Sequence, residues 1–161
     1  MQMYKTTLIS TIGLVLLAGC SLFQRKQQEP IVRLFCEVDK SLPEDNAHVV
    51  SVPKTGLKIP ISPFAILTEN DVESVKLNQT SGGAVLELHL DPSGLIQLDE
   101  VTTRCRGQYI VAYLGRRPVE AWLVDRRVTN GVFVVEGDFT DEEAQKAVDD
   151  LNKLIKAKKS R

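Results

Sequence analysis

The residues best placed for chemistry lie near the start of this 161-residue chain, in Leu17-Ala18-Gly19-Cys20. A cysteine side chain is a nucleophile through its thiolate, and the small residues Ala18 and Gly19 leave the backbone before it open to a peptidase cleft. Upstream, Lys5 supplies a positive charge, and residues 7–17 form an apolar stretch that carries none. A charged start, a short apolar run and small residues at a cleavage point are the parts of a secretory leader, in order. The apolar run is about half of the ~20 residues that span a bilayer as a helix. Residues 1–19 are therefore expected to be a cleaved signal peptide rather than a membrane span.

The sequence Leu17-Ala18-Gly19-Cys20 resembles the lipobox of bacterial lipoproteins. That resemblance implies cleavage before Cys20, a diacylglyceryl group on its thiol and a further acyl chain on its new amine. Two or three acyl chains meet the roughly two signals that stable anchoring requires. The membrane, reached through acyl chains on Cys20, is thus the first expected partner. Ser21, where the family's sorting pattern would use Asp to retain a protein at the inner membrane, implies an outer membrane and a periplasm-facing domain. Residues 20–30 read as a lipidated tether: Ser21 to Pro30 is mostly polar and ends in proline. Ten extended residues reach roughly 33 Å.

Beyond the leader the chemistry thins out. Cys36 and Cys105 form an even pair, and an oxidising compartment favours a disulfide between them; two separate buried thiols are the other reading. The only histidines, His48 and His89, stand far apart, without a pattern of ligands for zinc. A serine-nucleophile elbow and a phosphate loop are both lacking. A cysteine paired with His89 as a thiol hydrolase or redox centre has no orienting third group. No catalytic residue, metal or cofactor is expected, and the chain reads as non-enzymatic.

Charge narrows the partners. The full chain holds 20 basic and 21 acidic side chains. Removing the leader takes away Lys5 alone and leaves 19 against 21, a net charge of −2. That balance does not suit nucleic acid. One surface is nonetheless a candidate for binding. Arg104, Arg106, Arg116, Arg117, Arg126 and Arg127 are interleaved with Tyr109, Tyr113 and Trp122. Arginine and aromatic residues are enriched at protein interfaces. The alternative is that the aromatics belong to the core and the arginines to strand ends.

The elements that must position these residues follow from period and punctuation. Residues 31–39 alternate as a strand, with Val32, Leu34 and Cys36 inward. Residues 41–46 are a polar turn, 47–52 and 57–61 short strands. Thr68 and Asp71 make a capping box that predicts a short helix to about Leu77. Residues 84–90 are a strand. Asp91-Pro92 is a helix start, with the helix running over about 92–105. Residues 108–114 and 119–124 are two strands of a hairpin around Gly115-Arg116-Arg117-Pro118, and 132–135 is another strand. Thr140 and Glu143 cap a last helix over about 141–157, with lysines at its end where the dipole favours them. The expectation is a single α+β domain over 31–161, of mostly antiparallel strands with two longer helices.

Within it, residues 61–155 resemble the head of the first periplasmic domain of SecD, the membrane subunit that assists protein export. The matching stretches are Ser62-Pro63 with Leu67-Thr68-Glu69-Asn70-Asp71-Val72, Leu86-Glu87-Leu88 leading to Leu90-Asp91-Pro92-Ser93-Gly94, Tyr109 to Leu114, and Gly137 to Ala144 before Leu151-Asn152. The resemblance implies a compact, non-catalytic head that engages polypeptide. Two places depart from it: Gly115-Arg116-Arg117 stands where Asp-Gly is frequent, and Trp122 where proline is favoured. No transmembrane bundle is expected after Arg161, so proton-driven pulling is not carried over. The functional expectation is a lipid-anchored envelope lipoprotein whose domain binds an envelope protein or polypeptide. A structural part in a secretion or appendage assembly is the alternative.

Overall fold

The computed structural model describes residues 29–38 and 47–160. The leader, Cys20, residues 21–28 of the tether and the turn expected at 41–46 lie outside the described residues. In chain order the elements are β1 (Val32–Cys36), β2 (His48–Ser51), β3 (Lys58–Ile61), β4 (Leu67–Thr68), a 3-10 turn (Glu69–Asp71), β5 (Val72–Thr80), β6 (Gly83–Leu90), α1 (Pro92–Arg104), β7 (Tyr109–Leu114), β8 (Arg117–Leu123), β9 (Val132–Val135) and α2 (Asp141–Lys159). They form a four-stranded sheet ordered β4-β1-β7-β8, a three-stranded sheet β5-β6-β9 and a two-stranded arm β2-β3. All pairings are antiparallel, so the α+β expectation holds.

Local chemistry sets the helix ends. The Asp91 carboxylate accepts the Gly94 N–H at 2.9 Å, and Pro92, which has no N–H to satisfy, opens α1. At α2 the Thr140 hydroxyl accepts the Glu143 N–H at 3.2 Å, while the Glu143 carboxylate accepts the Thr140 N–H at 2.9 Å. Helix α1 stops one residue short of the expected end, with Cys105 as its cap, and α2 runs to Lys159.

The stretch after Thr68 departs from expectation. Its capping box forms, with the Thr68 N–H donating to Asp71 at 2.8 Å, but it caps only a single 3-10 turn. Val72 then begins a nine-residue strand against β6. A register shift between Val72 and Ser74 explains the misleading pattern. It puts the apolar Val72, Val75 and Leu77 three and then two apart, and the first interval imitates a helix. The pairing with β6 runs almost the whole length of the strand, from Val72 to Thr80.

The main core joins both larger sheets and both helices. Leu34, Leu86, Leu88, Leu98, Ile110 and Leu151 are completely buried in it. Each such side chain stabilises the fold by roughly 1.5–3 kcal/mol. Helix α2 contributes Ala144, Ala147, Leu151 and Ile155, the spacing of one helical face. A second, smaller cluster lies on the other face of the four-stranded sheet. There the β2–β3 arm lays Val52, Ile59 and Ile61 over Val111.

Candidate binding surface

The interleaved arginines and aromatics fall on and around the β7–β8 hairpin. Its register runs from Tyr109 opposite Leu123 to Leu114 opposite Arg117. Gly115 turns the chain at φ +63°, a left-handed backbone that glycine adopts without strain. Because the strands reverse there, residues close in sequence go to opposite ends of a six-residue ladder, about 20 Å apart. Arg116 and Arg117 sit at the turn. Arg104, Arg106, Tyr109, Arg126 and Arg127 gather at the other, open end.

The turn end is knitted into the domain. Arg117 donates to the Asp138 carbonyl at 2.6 Å and to the Glu143 carboxylate at 2.7 Å. That guanidinium holds the Glu143 carboxyl below its ordinary pKa, helped by the Thr140 N–H. Gly137 is what lets the segment after β9 come this close: a Cβ there would stand 2.8 Å from the Val119 carbonyl. The N-terminal segment also enters here. Gly115 donates to the Ile31 carbonyl at 2.9 Å, and Arg116 lies 3.7 Å from Glu29, both side chains almost fully solvated. A shallow groove is shared by Glu29, Pro30, Ile31, Gly115, Glu143 and Lys146.

The open end carries freer charge. Arg104, Arg106 and Arg126 are exposed and form no ion pair among the described residues. Arg127 is different: its guanidinium grips Asp99 of α1 with two hydrogen bonds, one of them 2.7 Å long. This pairing lowers the Asp99 pKa and raises that of Arg127.

The aromatics divide by face. Trp122 lies opposite Ile110 and packs edge-on against Phe133 at 5.7 Å, in the main core. Tyr109 and Tyr113 point the other way, into the smaller cluster under the β2–β3 arm. Tyr113 meets Phe35 edge-on at 5.0 Å, and burial raises its hydroxyl pKa. On this side Val49 of the arm is 68% exposed, with Leu57 and Leu123 also exposed. Phe64, in the loop after β3, is 79% exposed. The sequence reading missed Phe35, Val49 and Phe64. The alternation that turned Val32, Leu34 and Cys36 inward already turned Phe35 outward. Strand β2 pairs only with β3 among the described residues, which leaves one edge of the arm open.

The remaining titratable groups make no reactive set. His89 hydrogen-bonds to Glu87 at 2.6 Å on an outward stretch of β6, and His48 is exposed on β2. That contact, with Lys76 nearby, lowers the Glu87 pKa. No group of three His, Cys, Asp or Glu side chains that could hold a metal occurs among the described residues. No helix among them is long and apolar enough to cross a membrane. Cys36 and Cys105 are both buried, and their sulfurs touch at 2.6 Å.

No family model matches the sequence, and no curated protein does. Among solved structures that share its shape are two of SecDF. One is of SecDF, a membrane component that enhances protein export: the TM-score is 0.58 at 18% identity, covering 77% of this chain and 62% of that one. The other is SecDF in a super-membrane-facing form, with TM-score 0.58 at 20% identity, covering 77% of this chain and 19% of that one. The matched region is thus less than two thirds of either SecDF chain. Across 77% of its length the chain has the fold of part of SecDF, as the order of motifs between 61 and 155 led us to expect.

Proposed function

We propose that this chain is a non-enzymatic envelope lipoprotein, anchored through Cys20, whose α+β domain binds extended polypeptide. The SecDF-like fold carries the proposal, since SecDF enhances protein export. The leader and Leu17-Ala18-Gly19-Cys20 support the anchor, and Ser21 supports an outer-membrane site facing the periplasm. The contact surface is the open end of the hairpin, Arg104, Arg106, Tyr109 and Arg126, continued under the β2–β3 arm by Tyr113 nearer the turn, beside the edge of β2 that has no partner among the described residues. An unpaired strand edge offers a row of backbone donors and acceptors to an incoming strand. The half-buried aromatics and Val49 supply apolar pockets, and the arginines attract carboxylates. Glu29 to Ile31 run beside the opposite, turn end of the hairpin, which leaves the open end clear of them.

Two measurements test the two halves of the proposal. The full-length protein extracted from membranes should bind a reduced, carboxymethylated polypeptide and ignore the same polypeptide when folded; equal affinity for both forms contradicts polypeptide binding. A Cys20→Ser chain should leave the membrane fraction. Its recovery there as a mature, acylated protein would overturn the anchor.

A further inference from the structure

We infer that Cys36 and Cys105 are joined by an intramolecular disulfide that fixes the root of the β2–β3 arm. Three observations place them together. Cys36 is the last residue of β1 and Cys105 the C-cap of α1. The two sulfurs meet across 69 positions of sequence, 2.6 Å apart. Both side chains are at least nine-tenths buried, at 7% and 5% exposure, so no other thiol of a folded chain reaches them. Such proximity and burial suit one particular pairing. Burial, helped by the neighbouring Cys105, also pushes the Cys36 thiol far above its usual pKa. Burial of both sulfurs keeps an attacking thiolate from reaching them in the folded chain, so the bond is made while the chain folds and resists reduction afterwards.

The chemistry balances with an external disulfide as oxidant, such as an envelope dithiol oxidase or oxidised glutathione. One cysteine thiolate attacks a sulfur of that disulfide, forms a mixed disulfide and releases one thiolate. The second cysteine thiolate then attacks the protein sulfur and releases the other. Two thiols lose two protons and two electrons, and the oxidant leaves as two thiols.

The position gives the bond a use. Immediately after Cys36, the Glu37 N–H donates to the Tyr109 carbonyl at 2.8 Å, and the Glu37 carboxylate accepts the Tyr109 N–H at 2.9 Å. The Val38 N–H reaches Pro60, and Ser62 donates back to the Cys36 carbonyl. The bond thus clamps the point where β1 hands the chain to the arm, next to Tyr109.

The inference rests on the envelope location proposed above, and the test keeps the two apart. The mature protein is recovered from its own envelope without reductant, denatured and treated with N-ethylmaleimide. Mass spectrometry should find a linked Cys36–Cys105 peptide and neither cysteine alkylated. Both alkylated in mature, acylated protein would overturn the disulfide while leaving the anchor standing. If the chain is instead recovered with its leader uncut, the location fails. The bond is then decided by refolding the full reduced chain in oxidised glutathione, where linked peptide supports it and two alkylated thiols overturn it. In the chain-entropy model, a closed loop of this length should shift the unfolding equilibrium of the oxidised protein roughly a thousandfold relative to the reduced.

Discussion

The two ends of the β7–β8 hairpin are alike in sequence and opposite in circumstance. Both are rich in arginine. At the turn, Arg117 is spent on Asp138 and Glu143, and the incoming N-terminal segment lies alongside. At the open end, Arg104, Arg106 and Arg126 stay in solvent beside Tyr109 and the arm. Equal composition therefore does not mean equal availability. A guanidinium that closes a helix cap is part of the scaffold, and one left in water near an aromatic face is free for a partner.

The comparison can be broken or sharpened by substitution. The largest effect belongs to the floor that both ends share. Ile110→Ala removes a completely buried side chain from the main core and should cost about 2–5 kcal/mol, read as a lower urea midpoint. At the open end, Tyr109→Ala combined with Arg126→Glu should weaken binding of a carboxymethylated polypeptide about tenfold, the order of a modest interface hot spot, as read by fluorescence anisotropy. Arg116→Glu at the turn should leave that affinity unchanged. If the turn variant loses more than the open-end variant, the two ends have been assigned the wrong way round.

A smaller effect tests the knitted end. Arg117→Ala should cost about 0.5–1 kcal/mol, the range of a partly exposed ion pair. The sign with pH follows from Glu143. Its pKa is depressed in the folded state, so the pair's contribution is present above the ordinary glutamate pKa and fades as pH falls through the depressed value. The gap between wild type and Arg117→Ala, followed by thermal melts, should close over that acidic window. Smallest of all, Glu120 has its pKa raised, chiefly by burial. Its charged form is disfavoured in the fold, so stability rises as pH drops through the raised value. Glu120→Gln keeps a carbonyl for the Glu136 N–H, which now donates to Glu120 at 2.9 Å. It should raise the neutral-pH stability by less than about 0.5 kcal/mol.

Sequence reading found what local chemistry determines. Asp91-Pro92 and the Thr140–Glu143 box fix helix starts within a few residues, and no distant partner is needed to see them. Cys36 was legible as inward-facing from strand alternation, and Cys105 as the end of a helix. Thr68 misled because the same capping chemistry serves a single turn as well as a helix, and a strand pairing made through Val72 to Thr80 decided between them. The arginine cluster is divided by the fold. Between 104 and 127 the chain reverses at Gly115, so closeness in sequence became distance in space. For Trp122 the sequence left surface and core open, and its register opposite Ile110, against Phe133, decides for the core. That β2 has a single strand partner among the described residues was illegible because it depends on which strands pair, which no single stretch specifies.

The central claim is that the open end, not the turn, meets extended polypeptide. Photo-crosslinking in the native envelope tests it most directly, with the photoreactive residue at Tyr109, at Arg116 or at the exposed Glu100 of α1. The account predicts adducts to exported polypeptide from Tyr109 and background levels from Arg116 and Glu100. Equal adducts from all three positions, or adducts from Arg116 alone, would contradict it.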